Sequence, residues 1–281
     1  YYAQQARSIL DILIGYSISP LLWKSIKPKI SAGRCQSPAL KLVFSREKEI
    51  ENFQATPSYE IKGKFNVNTK NGSHEILCNF YKEVDKKEDA LLKIKQLIND
   101  NYIINKQKIK ISNISPPPPY TTSSIQQDAS SYLGISPSNT MNHLQKLYES
   151  GKITYMRTDS IAISKDFKKS CKKYIDNQYP KEYTERNYKN KTVNSQEAHE
   201  CIRPVIIDVI ADQITDNFQK KLYDLIWKRT VSCFMSQFKE EIHEYRFINE
   251  EDEYFKFVFK TIKQLGYKKI LNQDNKDDSD M

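Results

Sequence analysis

The chain has 281 residues, enough for one large domain or two to three smaller ones, and its 38% apolar content can fill real cores. Lysine and arginine number 44 against 35 acidic residues, a formal charge of +9, and 18 tyrosines with 12 phenylalanines add stacking rings; a nucleic-acid partner is favoured, although a simple Lys-rich composition would give the same charge. The five widely spaced cysteines contain no Cys-x-x-Cys pair, which argues against a disulfide framework or zinc ribbon and fits a reducing cytosol. No apolar run reaches the roughly 18 residues of a membrane span.

Tyr1-Tyr2-Ala3-Gln4-Gln5-Ala6-Arg7 already reads as mid-helix, without an initiator methionine or a signal peptide, so a segment of a longer protein is expected. Ile9, Leu10, Leu13 and Ile14 recur at helical spacing, Arg7 and Asp11 form an i,i+4 pair, and Gly15 is placed as the stop. Ser19-Pro20 then opens a short helix through Trp23, and Ser37-Pro38 opens another that closes near Ile50. From Pro57 the pattern alternates through Tyr59, Ile61, Gly63, Phe65 and Val67, turns at Asn71-Gly72 and returns through Ile76, Cys78 and Phe80, which predicts a β-hairpin. A Lys-rich helix over 87–99 and a strand over 103–114 lead to Pro116-Pro117-Pro118-Pro119, a stiff domain junction.

Beyond it, Ser124 and Gln127 are spaced as a capping box for a helix ending about Leu133. Ser136-Pro137 caps the next, with Met141, Leu144, Leu147 and Tyr148 as its buried stripe and Gly151 as its end. A strand carrying Tyr155 follows, giving a winged-helix-like order. A helix over 165–177, a polar loop, and a helix through Leu222, Leu225, Ile226 and Phe234 come next. Strands at 242–247 and 254–259 and a tail from Asn272 complete the chain, and the tail reads as disordered.

Three strings carry chemistry. In Gly151-Lys152-Ile153-Thr154-Tyr155-Met156-Arg157-Thr158-Asp159-Ser160, strand alternation sets Tyr155 and Arg157 on one face, a phenol beside a permanent cation. A tyrosine with a pKa of about 10 needs such positive charge to attack phosphorus. A lone strand tyrosine is far more often a packing residue; the string as a whole reverses those odds. In Gln196-Glu197-Ala198-His199-Glu200-Cys201-Ile202-Arg203-Pro204, His199 can carry a proton or meet a phosphate, and Arg203 offers a bidentate donor. The absence of a second histidine four positions on excludes a metalloprotease helix. In Ser31-Ala32-Gly33-Arg34-Cys35-Gln36-Ser37-Pro38, Arg34 and Gln36 offer donors beside a helix start.

Together these strings resemble the type IA DNA topoisomerases, and the bacterial topoisomerase I branch above the others, since Met156 stands where the topoisomerase III branch usually has proline. Ala3-Gln4-Gln5-Ala6-Arg7, Leu10-Asp11, Gly15-Tyr16, Ser19-Pro20-Leu21-Leu22-Trp23 and Pro118 with Tyr120-Thr121-Thr122 support the match over about residues 1–240. The resemblance implies a mixed α+β, multi-domain torus portion. Its parts would be a helical strand-binding domain over 1–56, a β hinge domain over 57–114 that returns at 241–281, and a winged-helix-like domain over 115–240 carrying the catalytic tyrosine. It implies an ATP-independent isomerase that breaks, passes and rejoins single DNA strands to relax negative supercoils.

By the same resemblance, Tyr155 is the nucleophile that becomes joined to a 5′ phosphate, with Arg157 and His199 assisting. Ser31, Arg34, Gln36, Arg7, Asp11, Tyr16, Thr158, Asp159 and Arg203 would meet the DNA. Mg²⁺ would be held by a Toprim domain that this sequence lacks, with no metal ligand in this chain, so that relaxation would need that domain. Single-stranded and negatively supercoiled DNA would be the partners of a cytoplasmic, nucleoid-associated monomer, with no membrane and no zinc in these residues. Cys35 and Cys201 depart from the family's usual small aliphatic residues, away from the expected chemistry. Two other readings stand beside this one. A truncated or decayed paralogue would only bind single-stranded DNA, and an unrelated winged-helix DNA-binding protein would leave the Ser31 and His199 strings unexplained.

Overall fold

The computed structural model describes residues 1–69, 72–188 and 199–271. It is a mixed α+β chain that divides into two compact units, residues 1–61 with 82–99 and residues 62–81 with 100 onward.

The first unit is helical. Helix α1 (Tyr2–Ser25) runs unbroken through both Gly15 and Pro20, where the sequence predicts a stop and a new start. Gly15 keeps helical backbone, and Pro20 forfeits only the bond its missing N–H would have given to the Tyr16 carbonyl, which the remaining turns tolerate. Instead of capping a helix, Ser19 is buried and its hydroxyl accepts the Ala32 N–H at 3.1 Å, tying the following loop back onto α1. Helix α2 (Gln36–Glu51) starts just before the expected Ser37 cap, and Pro38 falls in its first turn, where a missing N–H costs nothing. A bridge between Tyr59 and Val84 precedes helix α3 (Lys87–Leu97), which ends slightly short of the predicted 99.

The second unit holds a five-stranded antiparallel sheet ordered β1-β2-β5-β4-β3. The predicted hairpin is β1 (Lys62–Thr69) with β2 (Gly72–Phe80), in a register that pairs Gly63 with Cys78 and Phe65 with Ile76. Asn71 of the predicted turn lies outside the described residues. Strand β3 (Ile103–Ile114) has the predicted limits, whereas β4 (Phe238–Ile248) and β5 (Tyr254–Gln264) extend past the alternating stretches because ladder bonds persist where the apolar pattern fades. Aromatic packing fills one end of the sheet: Phe65 stacks on Phe247 at 4.3 Å and meets Phe255 edge-on at 5.2 Å. Gly63 makes that possible, since a Cβ there would stand 2.9 Å from the Phe65 ring and 3.0 Å from Phe255.

The larger core of this unit lies among α4 (Thr122–Leu133), α5 (Pro137–Glu149), α6 (Lys165–Gln178) and α7 (Asn217–Ser232). The α4 capping box is Thr121 with Ser124, not Ser124 with Gln127. Thr121 is the residue left in extended backbone, and its amide donates to Ser124 Oγ at 2.9 Å. Ser136 caps α5 as predicted, through the Asn139 N–H. Thr140, Leu144 and Leu147 form its buried face, Met141 is half-buried, and Tyr148, expected in that stripe, is exposed. Helix α7 ends before Phe234, which is fully buried just past the last turn. A short α8 (Lys268–Leu271) follows β5, and the tail from Asn272 lies outside the described residues.

Candidate active site

Residues 151–160 correct one expectation: they form no strand. Gly151, at φ 69°, ends α5, and a single isolated bridge joins Ile153 to Pro204. The ladder stops there because a side chain takes over its bonding. The Thr154 hydroxyl donates to the Cys201 carbonyl at 2.6 Å and accepts the Arg203 N–H at 3.0 Å, while the Thr154 amide donates to the Arg203 carbonyl at 2.9 Å. Two residues on, the partner changes to the start of α4. Thr122 Oγ1 donates to the Met156 carbonyl at 2.7 Å and accepts the Thr158 N–H at 2.9 Å, and the Thr122 N–H donates to the Thr158 carbonyl at 2.9 Å.

Alternation survives without the strand. Ile153, Met156, Thr158 and Ser160 are buried, whereas Tyr155, Arg157 and Asp159 are exposed, so the phenol and guanidinium leave the same backbone segment toward solvent with a fully buried methionine anchoring the residue between them. Tyr155 is 43% exposed. Its ring meets the Tyr148 ring edge-on at 5.3 Å and lies 6.4 Å from the half-buried His199 ring.

Thr158 and Arg203, expected to meet DNA, are turned inward. Thr158 is 6% exposed, and its hydroxyl accepts the Ser160 N–H at 3.0 Å, which shapes the turn after Arg157. The Arg203 side chain is 11% exposed; its guanidinium binds Glu200 Oε2 through Nε and NH2, donates to the Pro204 carbonyl at 2.8 Å, and lies 4.1 Å over the Phe167 ring. The fork expected to grip a phosphate therefore grips a carboxylate three residues away. Gln196, Glu197 and Ala198 lie outside the described residues.

Arg7, Asp11, Tyr16, Ser31, Arg34 and Gln36 belong to the first unit, and all are exposed. Asp11 is hydrogen-bonded not to Arg7 but to Arg34, whose Nε and NH2 reach its two oxygens at 2.8 and 3.2 Å, a two-point match of planar fork to carboxylate. That hydrogen bond holds the Asp11 carboxyl below its ordinary range, and the carboxylate raises Arg34 in turn. Gln36 donates to Ser31 Oγ at 3.1 Å, so the two donors predicted for DNA, Arg34 and Gln36, are both fixed by residues of the same set.

Sequence reasoning missed the groups that hold Tyr155. Thr122 was visible only as a member of a matching string, and Thr154 only as a β-former beside the tyrosine. A half-buried triad links the buried Tyr120 with Asp128 and Arg229: the Tyr120 hydroxyl donates to Asp128 Oδ2 at 2.6 Å, Arg229 also binds Asp128, and its guanidinium lies 4.3 Å over the Tyr120 ring. Burial drives the Tyr120 phenol far above its ordinary pKa. Among the described residues no group of three or more His, Cys, Asp or Glu side chains could hold a metal ion. No helix of the described residues is long and apolar enough to cross a membrane.

A family model described as DNA topoisomerase matches residues 1–281. DNA topoisomerase 1 of Rickettsia felis is 36% identical over 99% of this chain and 38% of its own length, and that of Aquifex aeolicus is 40% identical over 84% of this chain and 43% of its own. The structure of full-length topoisomerase I from Thermotoga maritima superposes with a TM-score of 0.77 at 32% identity, covering 96% of this chain and 45% of that one. This chain thus spans less than half the length of these relatives. With the family model matched from end to end and the fold shared with a solved member, the chain belongs to the type IA DNA topoisomerases, in the bacterial topoisomerase I branch.

Proposed function

We propose that this chain carries the strand-cleaving tyrosine of an enzyme that relaxes negatively supercoiled DNA without ATP. One observation supports the reading above the others: Tyr155 and Arg157 are both exposed around a buried Met156, on a segment tied on one side to residues 201–203 through Thr154 and on the other to Thr122 through Met156 and Thr158. In the reaction, the Tyr155 phenol gives up its proton and its oxygen bonds to phosphorus. The bond from phosphorus to the 3′ oxygen breaks, and that oxygen leaves with a proton as a 3′ hydroxyl. The 5′-phosphotyrosine keeps the energy of the broken diester, so attack by the same 3′ hydroxyl reseals the strand. In this reading Arg157 would meet the charge that builds on the phosphate oxygens, and His199, whose ring lies 6.4 Å from that of Tyr155, would hold or pass a proton there.

Asp159 adjoins these groups, while Thr158 and Arg203 act as the frame that aims them. Arg34, Gln36 and Ser31, with Arg7, Asp11 and Tyr16, form the strand-holding set of the first unit. Single-stranded DNA is the substrate and a cytoplasmic monomer the working form. Mg²⁺ belongs to this reading as the ion of a Toprim domain outside these residues.

An end-labelled single-stranded oligonucleotide, incubated with the chain and Mg²⁺ with and without a separately supplied Toprim domain, tests the proposal. A covalent adduct at the 5′ side of the break, dependent on the added domain, is the expected result. Binding without adduct in either condition would favour a protein that only holds single strands, and relaxation of plasmid by the chain alone would overturn the need for the added domain.

A further inference from the structure

Tyr148 plays no part in the core that α5 serves: its neighbours Leu144 and Leu147 are fully buried, while Tyr148 itself is 40% exposed on the last turn of that helix. Its ring lies against Tyr155, with centroids 5.3 Å apart and planes at 67°. Resting on the reading of Tyr155 as nucleophile, we infer that Tyr148 is a positioning residue whose ring fixes the direction of the Tyr155 phenol.

The backbone of both residues is already held. The Tyr148 carbonyl accepts the Gly151 N–H at 2.9 Å and the Leu147 carbonyl the Lys152 N–H at 2.9 Å, which close the helix and lead straight into the Tyr155 segment. Tyr155 is flanked by Thr154 and Met156, each bonded to a different element. What remains free is rotation of the Tyr155 side chain about its own bonds, where an exposed ring has about three staggered choices. An edge-to-face partner on a rigid helix favours one of them and thereby raises the fraction of phenol aimed at a bound phosphate. The His199 ring lies 6.4 Å from that of Tyr155, so two rings neighbour the nucleophile, and Tyr148 is the one fixed by a helix. Contact is made by rings, so the Tyr148 hydroxyl is dispensable.

The test uses the full chain with the Toprim domain supplied, measuring the rate of adduct formation at saturating oligonucleotide and the concentration giving half that rate. Tyr148→Leu is expected to slow adduct formation about three- to ten-fold at an unchanged half-saturating concentration, and Tyr148→Phe to restore it. A raised half-saturating concentration with an unchanged maximal rate would overturn the inference, since Tyr148 would then be a surface for the DNA. An unchanged Tyr148→Leu would overturn it as well, and so would a Tyr148→Phe as slow as the leucine variant.

Proton NMR of the Tyr155 ring in the chain alone gives a second readout. Its resonances, identified by their loss in Tyr155→Phe, shift in Tyr148→Leu as the ring current of Tyr148 is removed; unmoved resonances mean the rings do not meet, whatever the activity. If the unaltered chain forms no adduct, the assignment of Tyr155 fails first, and the ring measurement still decides the contact.

Discussion

The two groups of residues proposed for the reaction and for holding the strand are fixed in opposite ways. Around Tyr155, nearly every hydrogen bond that aims the side chain is made by buried or half-buried threonine and main-chain atoms standing on a closed core. Around Arg34, the organising contacts are an exposed ion pair to Asp11 and an exposed amide-to-hydroxyl bond to Ser31, on helices whose Leu10, Leu13, Leu40 and Val43 all face solvent. The first arrangement suits a reacting atom, whose misplacement by about 1 Å costs on the order of 100-fold in rate. The second suits a contact to a flexible polyanion, where exposed charges can exchange partners at little cost.

The largest effect that separates the two belongs to Tyr155→Phe. It should abolish the covalent adduct while affinity for a single-stranded oligonucleotide, read by fluorescence anisotropy, stays within about two-fold; a parallel loss of binding would make Tyr155 a structural residue. Arg157→Ala should lower the cleavage rate about 100-fold with a much smaller change in affinity, and equal losses would reduce Arg157 to a cation that merely holds the strand.

Thr122→Val strikes the frame and leaves the exposed face intact. It strands the Met156 carbonyl and the Thr158 N–H in partly buried surroundings, and urea unfolding should show a loss of about 2 kcal/mol, with cleavage falling alongside. A variant as stable as the parent would mean that water replaces the hydroxyl and that the frame is looser than its bonds suggest.

Asp11→Asn should have the smallest effect: no measurable change in thermal midpoint at neutral pH, with a gain in single-strand affinity at low salt that vanishes at high salt as Arg34 is released. The pH dependence of the pair has a definite sign. Because Arg34 holds the Asp11 carboxyl below its ordinary 3.8, whatever the pair contributes is complete above that value and disappears as the pH falls through the lowered one. In acid the parent's affinity should approach that of Asp11→Asn. A difference that persists below that range would assign the effect to something other than this carboxylate.

Much of the architecture is legible in the sequence because it is written in local rules. The hairpin through Gly63 and Cys78, the cap at Ser136 and the limits of β3 follow from alternation and capping chemistry that need only neighbouring residues. Errors arise where a distant group overrides a local signal. Ser19 reads as a cap until the Ala32 amide claims its hydroxyl, and Asp11 reads as the partner of Arg7 until Arg34 arrives from the turn before α2. The site behaves likewise. The shared exposure of Tyr155 and Arg157 follows from alternation even without a strand. The inward turn of Arg203 depends on Phe167 and Glu200 meeting it together, and the exposure of Tyr148 depends on which face of α5 the core takes, so neither can be read from spacing alone.

Mapping the covalently linked residue is the sharpest test of Tyr155. The chain, supplied with the Toprim domain and Mg²⁺, is reacted with an oligonucleotide, denatured and digested, and the DNA-bearing peptide is sequenced by mass spectrometry. A peptide carrying the downstream part of the oligonucleotide through its 5′ phosphate on Tyr155 is the predicted result. Attachment to any other residue, or bound and uncleaved DNA with every component present, would contradict it.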